Sequence, residues 1–160
     1  MSFIPDPETA PDPVTQLSAA ERAFYARQLI LPEIGMAGQL KLKAARVAVL
    51  GAGGLGAPAL LYLAGAGVGE IIIIDDDSIE ISNLHRQVIH TYARAGNSKA
   101  ESAAETMRAL NPFITVTVIR ERLTDSNALT LLSGADAVLD GSDNFEARYA
   151  VSAAAQQLGI

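Results

Sequence analysis

Four glycines within six residues constrain the fold of this chain more than any other feature of its sequence. The segment reads Gly51-Ala-Gly-Gly-Leu-Gly56, matches the pattern G-x-G-x-x-G, and separates a strand-like stretch from a helix-like one. Glycines allow backbone N–H groups to approach phosphate oxygens, and the amino end of the following helix adds partial positive charge. The segment therefore predicts a nucleotide-binding strand–loop–helix unit. The alternative is a glycine-rich turn that only lets the strand and the helix pack closely.

An acidic residue follows the next strand-like segment. Four consecutive isoleucines, Ile71–Ile74, are typical of a parallel strand that is buried on both faces. Asp75 comes directly after them. In nucleotide-binding α/β folds, a carboxylate at the end of the second strand accepts hydrogen bonds from ribose hydroxyls. Asp75 is therefore a candidate ribose ligand.

Strand-like and helix-like segments alternate along the chain. The patterns predict strands at 46–50, 71–74, 113–120 and 137–140, and helices at 18–31, 55–66, 98–110, 125–133 and 143–158. Strands separated by helices require right-handed crossovers, which produce a parallel sheet. We therefore predict an α/β, Rossmann-like fold, with a mostly parallel sheet, helices on both faces and N-terminal helices before it.

The beginning of the chain differs in composition. It contains Pro5, Pro7, Pro11 and Pro13 among acidic residues, which favours extended or disordered backbone. We therefore expect residues 1–17 to be a disordered, proline-rich tail and residues 18–160 to form one domain. No basic segment followed by an apolar stretch marks a signal peptide, so we expect a cytoplasmic protein.

The composition excludes several chemistries. The chain has no cysteine, which excludes disulfides, thiolate zinc sites, thioesters and cysteine nucleophiles. Its formal net charge is −6 and it has no run of Lys or Arg, so we expect neither nucleic acid nor a membrane as a partner. Residues 47–69 carry no charge and approach the length of about 20 residues that a membrane helix needs. The glycines and Pro58 in this stretch favour a strand, a loop and a short buried helix instead.

Charged residues cluster where the second and fourth predicted strands end. Residues 75–87 run off the second strand and include Arg86, and Lys99 begins the next helix. An Arg and a Lys near a glycine loop suit a triphosphate, whereas a dinucleotide oxidoreductase needs an apolar nicotinamide or flavin pocket. Asp143 and Asn144 follow the fourth strand on the same carboxyl edge, where a carboxylate could hold Mg²⁺.

These charged residues also have purely structural interpretations. Lys99 could be a solvated side chain, although the helix dipole does not favour a cation in the first turn. Asp143 could form a capping box with Glu146. Asp76 and Asp77 could be solvated loop charges.

In these segments the sequence resembles the ThiF/MoeB/HesA family, the adenylyltransferases that activate ubiquitin-like sulfur-carrier proteins in molybdenum-cofactor and thiamine biosynthesis. The resemblance covers essentially the whole predicted domain. The matching segments are Tyr25–Gln28, Gly51–Gly56, Tyr62–Gly69, Asp75–Asp77, Ser82–Gln87, Lys99, Leu110–Pro112 and Asp140–Asn144.

The resemblance implies a reaction. The C-terminal glycine carboxylate of a small carrier protein ending in Gly-Gly would attack ATP at its α-phosphorus, giving an acyl-adenylate and pyrophosphate. Asp143 would hold Mg²⁺, and Arg27 would reach into the partner subunit's site of a homodimer as an arginine finger. The implied catalytic residues are Arg27, Arg86, Lys99 and Asp143. The implied nucleotide contacts are Gly51, Gly53, Gly54, Gly56, Asp75, Asp77, Ser82, Asn83, Leu84, His85, Arg86, Lys99, Asp143 and Asn144.

Two histidines and one arginine also have structural interpretations. His85 and His90 are wrongly spaced for one helix face, so we assign neither of them a metal-binding or catalytic role. Without its neighbours in the matching segment, Arg27 would be an ordinary surface cation.

The sequence departs from the family after residue 160. Family members continue with further strands, a paired CxxC zinc site, a reactive cysteine and the groove for the carrier tail. We therefore expect a chain truncated relative to the family, without zinc, that could perform only the adenylation step, and whose strand at 137–140 has an unpaired edge. One alternative is a non-catalytic nucleotide-binding or interaction module, which would bind ATP without exchange. The other is an NAD-dependent oxidoreductase, which would tolerate Arg86→Ala.

Overall fold

The computed structural model describes residues 16–160. Its strands are β1 (Arg46–Leu50), β2 (Glu70–Ile74), β3 (Thr115–Ile119) and β4 (Ala137–Asp140). They form one sheet in the order β3-β2-β1-β4, and every neighbouring pair is parallel. The α-helices of the described part are α1 (Ala19–Phe24), α2 (Ala26–Leu29), α3 (Gly35–Ala44), α4 (Gly56–Ala66), α5 (Lys99–Leu110), α6 (Ala128–Leu132) and α7 (Phe145–Leu158). The predicted α/β, Rossmann-like fold with N-terminal helices is confirmed.

The sheet is covered on both faces, as β2 shows. Ile71 and Ile73 belong to a core that includes residues of α4 and α5, whereas Ile72 and Ile74 pack with residues of α6 and α7. All four isoleucine side chains are at most 1% exposed. Burying one such side chain contributes about 1.5–3 kcal/mol, so β2 anchors both layers of helices.

The N-terminal region departs from the predicted single helix at 18–31. The capping box of Ser18 and Glu21 is present and begins α1, but the helix breaks at Tyr25, whose φ of −90° and ψ of 11° are not helical. The chain then forms α2 and the unpredicted α3. The sequence pattern does not predict α3, because the helix contains Gly35 and Gly38 and glycine is the poorest helix former after proline.

The predicted boundary of the tail is too late. The side chain of Leu17 is only 3% exposed, and the Lys43 ammonium donates a 2.9 Å hydrogen bond to the carbonyl oxygen of Gln16. Lys43 also pairs with Glu21 at 2.8 Å, which fixes the start of α1 on α3. The last two residues of the predicted tail therefore belong to the fold, and residues 1–15 lie outside the described part.

The charge-free stretch 47–69 folds as expected. It forms most of β1, the glycine loop and α4. Within residues 16–160, no helix is long and apolar enough to cross a membrane.

One end of the sheet is closed by the N-terminal helices. The Asn111 amide is fully buried and donates to the Tyr25 hydroxyl at 2.9 Å and to the Ala64 carbonyl at 2.7 Å. The Tyr25 ring lies against Gly67, which caps α4 with a φ of 84° and leaves no room for a Cβ. Helices α4 and α5 run from the carboxyl to the amino ends of the strands, and Gly67 and Asn111 directly follow their last residues. Tyr25, which contacts both residues, therefore lies at the amino edge of the sheet, and α1 and α2 cover that edge.

The carboxyl edge is left for a ligand. The chain passes from β1 to β2 on one side and reaches β4 on the other, so the strand order reverses between β1 and β4. In open α/β sheets, ligands bind outside the carboxyl ends of the strands at such a reversal. Among the described strands, β4 pairs only with β1, so its unpaired edge is as predicted.

Two glycines of α4 should respond oppositely to substitution by alanine. A Cβ at Gly56 would overlap the carbonyl oxygen of Gly51, whereas one at Gly65 has no atom within 4 Å. We expect Gly56→Ala to lower the free energy of unfolding by about 3 kcal/mol, the upper end of overpacking costs. Gly65→Ala should raise it by up to about 1 kcal/mol, because alanine favours the helix. Urea unfolding measures both, and equal effects would contradict the packing described for Gly56.

Candidate functional site

A cleft of about 1020 Å³ opens at the carboxyl edge of the sheet. This volume is slightly above the usual range for ligand pockets, roughly 300–1,000 Å³. The cleft brings together these predicted residues: Gly51, Gly53, Gly54, Asp75, Asp77, Asn83, Arg86, Lys99, Asp143 and Asn144. The predicted residues that do not line it are Arg27, Gly56, Ser82, Leu84 and His85.

The glycine loop forms the floor of the cleft between β1 and α4. Gly51 has a φ of 87°, a left-handed conformation that favours glycine. A Cβ there would lie 3.1 Å from the carbonyl oxygen of Gly141, in the loop after β4. Gly56 was predicted to contact the nucleotide, but it is buried against Gly51 and lets α4 start close to β1. Its role in the structure is packing.

The Asp75 carboxylate stabilises this loop by binding a backbone N–H of the loop. One carboxylate oxygen accepts a 2.7 Å hydrogen bond from the Ala52 N–H, and the other accepts one of 2.9 Å from the Asp77 N–H. The residue is 8% exposed, and burial raises the pKa of its carboxyl group despite those two donors and the Lys99 charge. Each oxygen retains a lone pair, so the predicted ribose contact is compatible with this geometry.

The Lys99 ammonium is buried at the wall of the cleft. The residue is 7% exposed, and its Nζ lies 2.7 Å from an Asp77 carboxylate oxygen. The solvated interpretation of Lys99 is therefore wrong. Since the Asp77 side chain is 65% exposed, a buried cation is balanced by a carboxylate at the solvent boundary. Such a cation suits an anionic ligand that enters the cleft.

The turn after β2 presents some of its predicted residues and not others. Ile81–Asn83 is a 3-10 turn, in which residues three apart lie on the same side. The Arg86 N–H donates to the Asn83 carbonyl oxygen at 3.1 Å, which continues this three-residue spacing beyond the turn. Asn83 and Arg86 both line the cleft, and the Arg86 side chain lies over Gly54. Ser82 and His85 are instead exposed and bonded within the turn, with His85 Nδ1 3.0 Å from the Ser82 carbonyl oxygen.

The loop after β4 separates the roles of two adjacent residues. Asn144 caps α7, because its side-chain oxygen accepts a 2.8 Å hydrogen bond from the Ala147 N–H. The alternative interpretation, in which Asp143 is the cap, is therefore wrong. Asp143 is exposed and faces the cleft. Its carboxylate is available to a ligand or a cation.

The donor set permits magnesium only together with a ligand. Within residues 16–160, no group of three or more His, Cys, Asp or Glu residues could hold a metal ion. Mg²⁺ keeps several waters and is usually bound through one or two carboxylates plus substrate phosphates. Asp143 fits that mode.

The charges of the cleft also indicate that a bound triphosphate would be accompanied by a cation. Its basic side chains are Arg86, Lys99, Arg122 and Arg148, and its acidic ones are Asp75, Asp76, Asp77, Glu80, Glu121 and Asp143. Because acidic groups outnumber basic ones, a bound triphosphate needs an additional cation. Arg122 and Arg148 were missed in the sequence, since both lie outside the matching segments.

Two buried polar residues beside the glycine loop were also missed. Gln87 is 3% exposed, lines the cleft near Gly53, and its Oε1 has no hydrogen-bond partner in the described part. His90 is 6% exposed and lies between the loop and α5, with Nε2 3.0 Å from the Ala52 carbonyl oxygen and Nδ1 3.1 Å from Ser102 Oγ. No spacing in the sequence indicates these contacts, because they join segments far apart in the chain.

Arg27 lies away from the cleft of its own chain. It is exposed on α2, next to Tyr25, which packs at the amino edge of the sheet. The cleft is at the opposite edge. Any contribution of Arg27 to such a site would have to come from another subunit.

Comparisons with known proteins find matches over most of the chain. The model of the ThiF family matches residues 25–160. The chain is 53% identical over 148 residues to the probable adenylyltransferase/sulfurtransferase MoeZ of Mycobacterium tuberculosis, covering 92% of this chain and 38% of that protein. It is 52% identical over 136 residues to the adenylyltransferase and sulfurtransferase MOCS3 of Culex quinquefasciatus, covering 85% and 31%. The chain thus spans 38% or less of the length of these two relatives.

Solved structures resemble the fold closely. The tRNA N6-threonylcarbamoyladenosine dehydratase TcdA of E. coli, in complex with AMP, aligns with a TM-score of 0.85 and 31% identity, covering 89% of this chain and 58% of that one. E. coli MccB with AMPCPP and MccA aligns with a TM-score of 0.69 and 35% identity, covering 74% and 36%. Both neighbours were therefore solved with an adenine nucleotide.

The buried histidine predicts a pH dependence of stability. Burial lowers the pKa of His90 from its usual 6.5, so the unfolded chain binds a proton near this pH that the folded chain does not. The free energy of unfolding should therefore fall as the pH drops below about 6.5. His90→Gln should reduce that fall, whereas His85→Gln at an exposed position should not. Denaturant unfolding curves at several pH values measure this dependence. If the free energy of unfolding falls equally with pH in wild type and in His90→Gln, the burial described here is contradicted.

Proposed function

The chain belongs to the ThiF family, and we propose that it binds ATP in the carboxyl-edge cleft and adenylates a small ubiquitin-like sulfur-carrier protein. The observation that carries this proposal is the buried Lys99 ammonium, held in the same cleft as the glycine loop. A buried cation beside exposed backbone N–H groups suits phosphate. The names of the relatives, adenylyltransferase and sulfurtransferase, support the same reaction class.

The proposed reaction is a displacement at the α-phosphorus of ATP. A carboxylate oxygen of the carrier's C-terminal glycine forms a bond to this phosphorus, and the bond to the oxygen bridging to the β-phosphate breaks. Pyrophosphate leaves with the electron pair, and the carrier becomes an acyl-adenylate. Negative charge builds up on the phosphate oxygens, so Lys99 and Arg86 would stabilise the transition state more than the ground state.

Magnesium fits this proposal through Asp143. When bound, Mg²⁺ neutralises charge on the phosphates. The excess of acidic side chains in the cleft makes that neutralisation necessary. Asp143, in the loop after β4, would hold the ion. Asn144 beside it caps the amino end of α7 and so fixes where this helix begins.

The two alternatives differ in what they require of the cleft. An NAD-dependent oxidoreductase needs an apolar pocket for the nicotinamide ring, and charged side chains occupy much of this lining. A non-catalytic nucleotide-binding module would use the same loop and Asp75 but would not release pyrophosphate. ATP–pyrophosphate exchange, stimulated by a carrier that ends in Gly-Gly, separates adenylation from both alternatives.

Lys99 should be essential for exchange. We expect Lys99→Met to lower the exchange rate by about 100-fold or more, as loss of a transition-state donor typically does. Lys41→Met, the same change at an exposed lysine of α3, should leave the rate unchanged. If the two variants exchange at equal rates, or if wild type shows no exchange while a full-length relative does, the proposal for this chain is wrong.

We also propose that the enzyme is a homodimer in which Arg27 acts on the partner's nucleotide. The support is that Arg27 lies at the opposite edge of its own sheet from the cleft. Arg27→Ala and Lys99→Met should each be inactive alone. Mixed dimers contain one site with both residues intact, so mixing the variants should restore part of the exchange rate. A mixture as inactive as either variant would contradict action in trans.

A further inference from the structure

Two successive peptide groups of the glycine loop are held by buried side chains. The N–H of Ala52 donates to the Asp75 carboxylate at 2.7 Å, and the carbonyl oxygen of Ala52 lies 3.0 Å from His90 Nε2. Asp75 and His90 come from different segments, one directly after β2 and one from the long connection before α5. The loop backbone is therefore fixed from two sides at the same residue.

The contacts of His90 define its tautomer. A carbonyl oxygen can only accept a hydrogen bond, so Nε2 must carry the hydrogen. Burial lowers the pKa of His90, and the positive charges of Lys99 and Arg94, which face the ring, lower it as well, so the ring is neutral near pH 7. In the neutral ring Nδ1 carries no hydrogen, so it accepts a hydrogen bond from the Ser102 hydroxyl at 3.1 Å. Ser102 is one turn along α5 from Lys99 and thus ties the loop to the helix that carries the buried cation.

The geometry of the peptide bond transmits this contact to the cleft. All peptide bonds of the described part are trans, so the Ala52 carbonyl and the Gly53 N–H point in opposite directions. With the carbonyl turned inward to His90, the Gly53 N–H is turned outward, and Gly53 lines the cleft. A flip of this peptide would instead present a carbonyl oxygen to the ligand. Glycine tolerates either sign of φ, so Gly53 does not resist the flip by itself.

We propose that His90 is a positioning residue that prevents this flip and so directs the Gly53 N–H toward a phosphate of the bound nucleotide. The inference rests on the proposed binding of ATP. His90 contacts the loop and not the ligand. Its effect should therefore appear in the binding of phosphates and not in the binding of the nucleoside.

The test compares His90→Leu with His90→Gln in the full 160-residue chain. Leucine fills the space without a donor, whereas the glutamine amide can donate from about the position of Nε2. We measure dissociation constants for ATP and for adenosine by NMR titration, and the melting temperature of each variant. His90→Leu should raise the dissociation constant for ATP about 10-fold or more, because the hydrogen bond from the Gly53 N–H to a charged phosphate is lost. The dissociation constant for adenosine should stay unchanged. His90→Gln should retain most of the wild-type ATP affinity.

Several outcomes would overturn the proposal. Equal weakening of ATP and adenosine in His90→Leu would mean that the residue only supports the fold, and unchanged ATP affinity would mean that it positions nothing. A second measurement does not depend on nucleotide binding: imidazole ¹⁵N shifts of the ligand-free chain should show hydrogen on Nε2 and none on Nδ1. The opposite tautomer would refute the inference even if ATP binds. If the shifts agree but wild type does not bind ATP, ATP binding is refuted, and with it the inferred orientation toward phosphate.

Discussion

Close contact between backbone turns at the carboxyl edge of the sheet determines the rest of this structure. No side chain separates the end of β1, the start of α4 and the loop after β4, because glycines occupy the contact points. A Cβ on Gly56 would overlap the Gly51 carbonyl, and one on Gly141 would lie 2.9 Å from the Leu50 carbonyl oxygen. Backbone of the loop at Gly53 and Gly54 therefore forms part of the surface of the cleft. The reversal of strand order between β1 and β4 places that surface at the one edge that the N-terminal helices leave uncovered.

Buried polar groups then give this surface its chemistry. Lys99 pairs with Asp77, whose backbone N–H binds Asp75, and Asp75 holds Ala52, which His90 connects back to α5. Such groups are costly in a core unless all are paired, and apolar residues in their place are often as stable. Their concentration around one cleft indicates selection for function at this place. The network fixes the distance between the loop and the buried ammonium, which are the two parts that the proposed reaction uses on one phosphate chain.

The sequence predicts the framework of this protein well and its buried polar contacts poorly. The strand at 46–50, the four isoleucines and the glycine loop were predictable because burial on two faces and close backbone approach each leave a distinct residue pattern. The break at Tyr25 was not, because it depends on packing against Gly67 and on Asn111, far along the chain. His90 was not either, since its partners Ala52 and Ser102 come from other segments. The sequence also did not show that Asn144, and not Asp143, caps α7, because the two residues are adjacent and Asn and Asp are about equally favoured as N-caps.

In the proposed complex, the phosphates of ATP lie between the glycine loop and Lys99. A crystal structure of this chain with a non-hydrolysable ATP analogue tests it most directly. The phosphates should lie within hydrogen-bond distance of the Gly53 N–H and of Lys99 Nζ, which is paired with Asp77 in the free protein. Phosphates bound elsewhere on the molecule, or a Lys99 that keeps only Asp77 as its partner, would contradict the account.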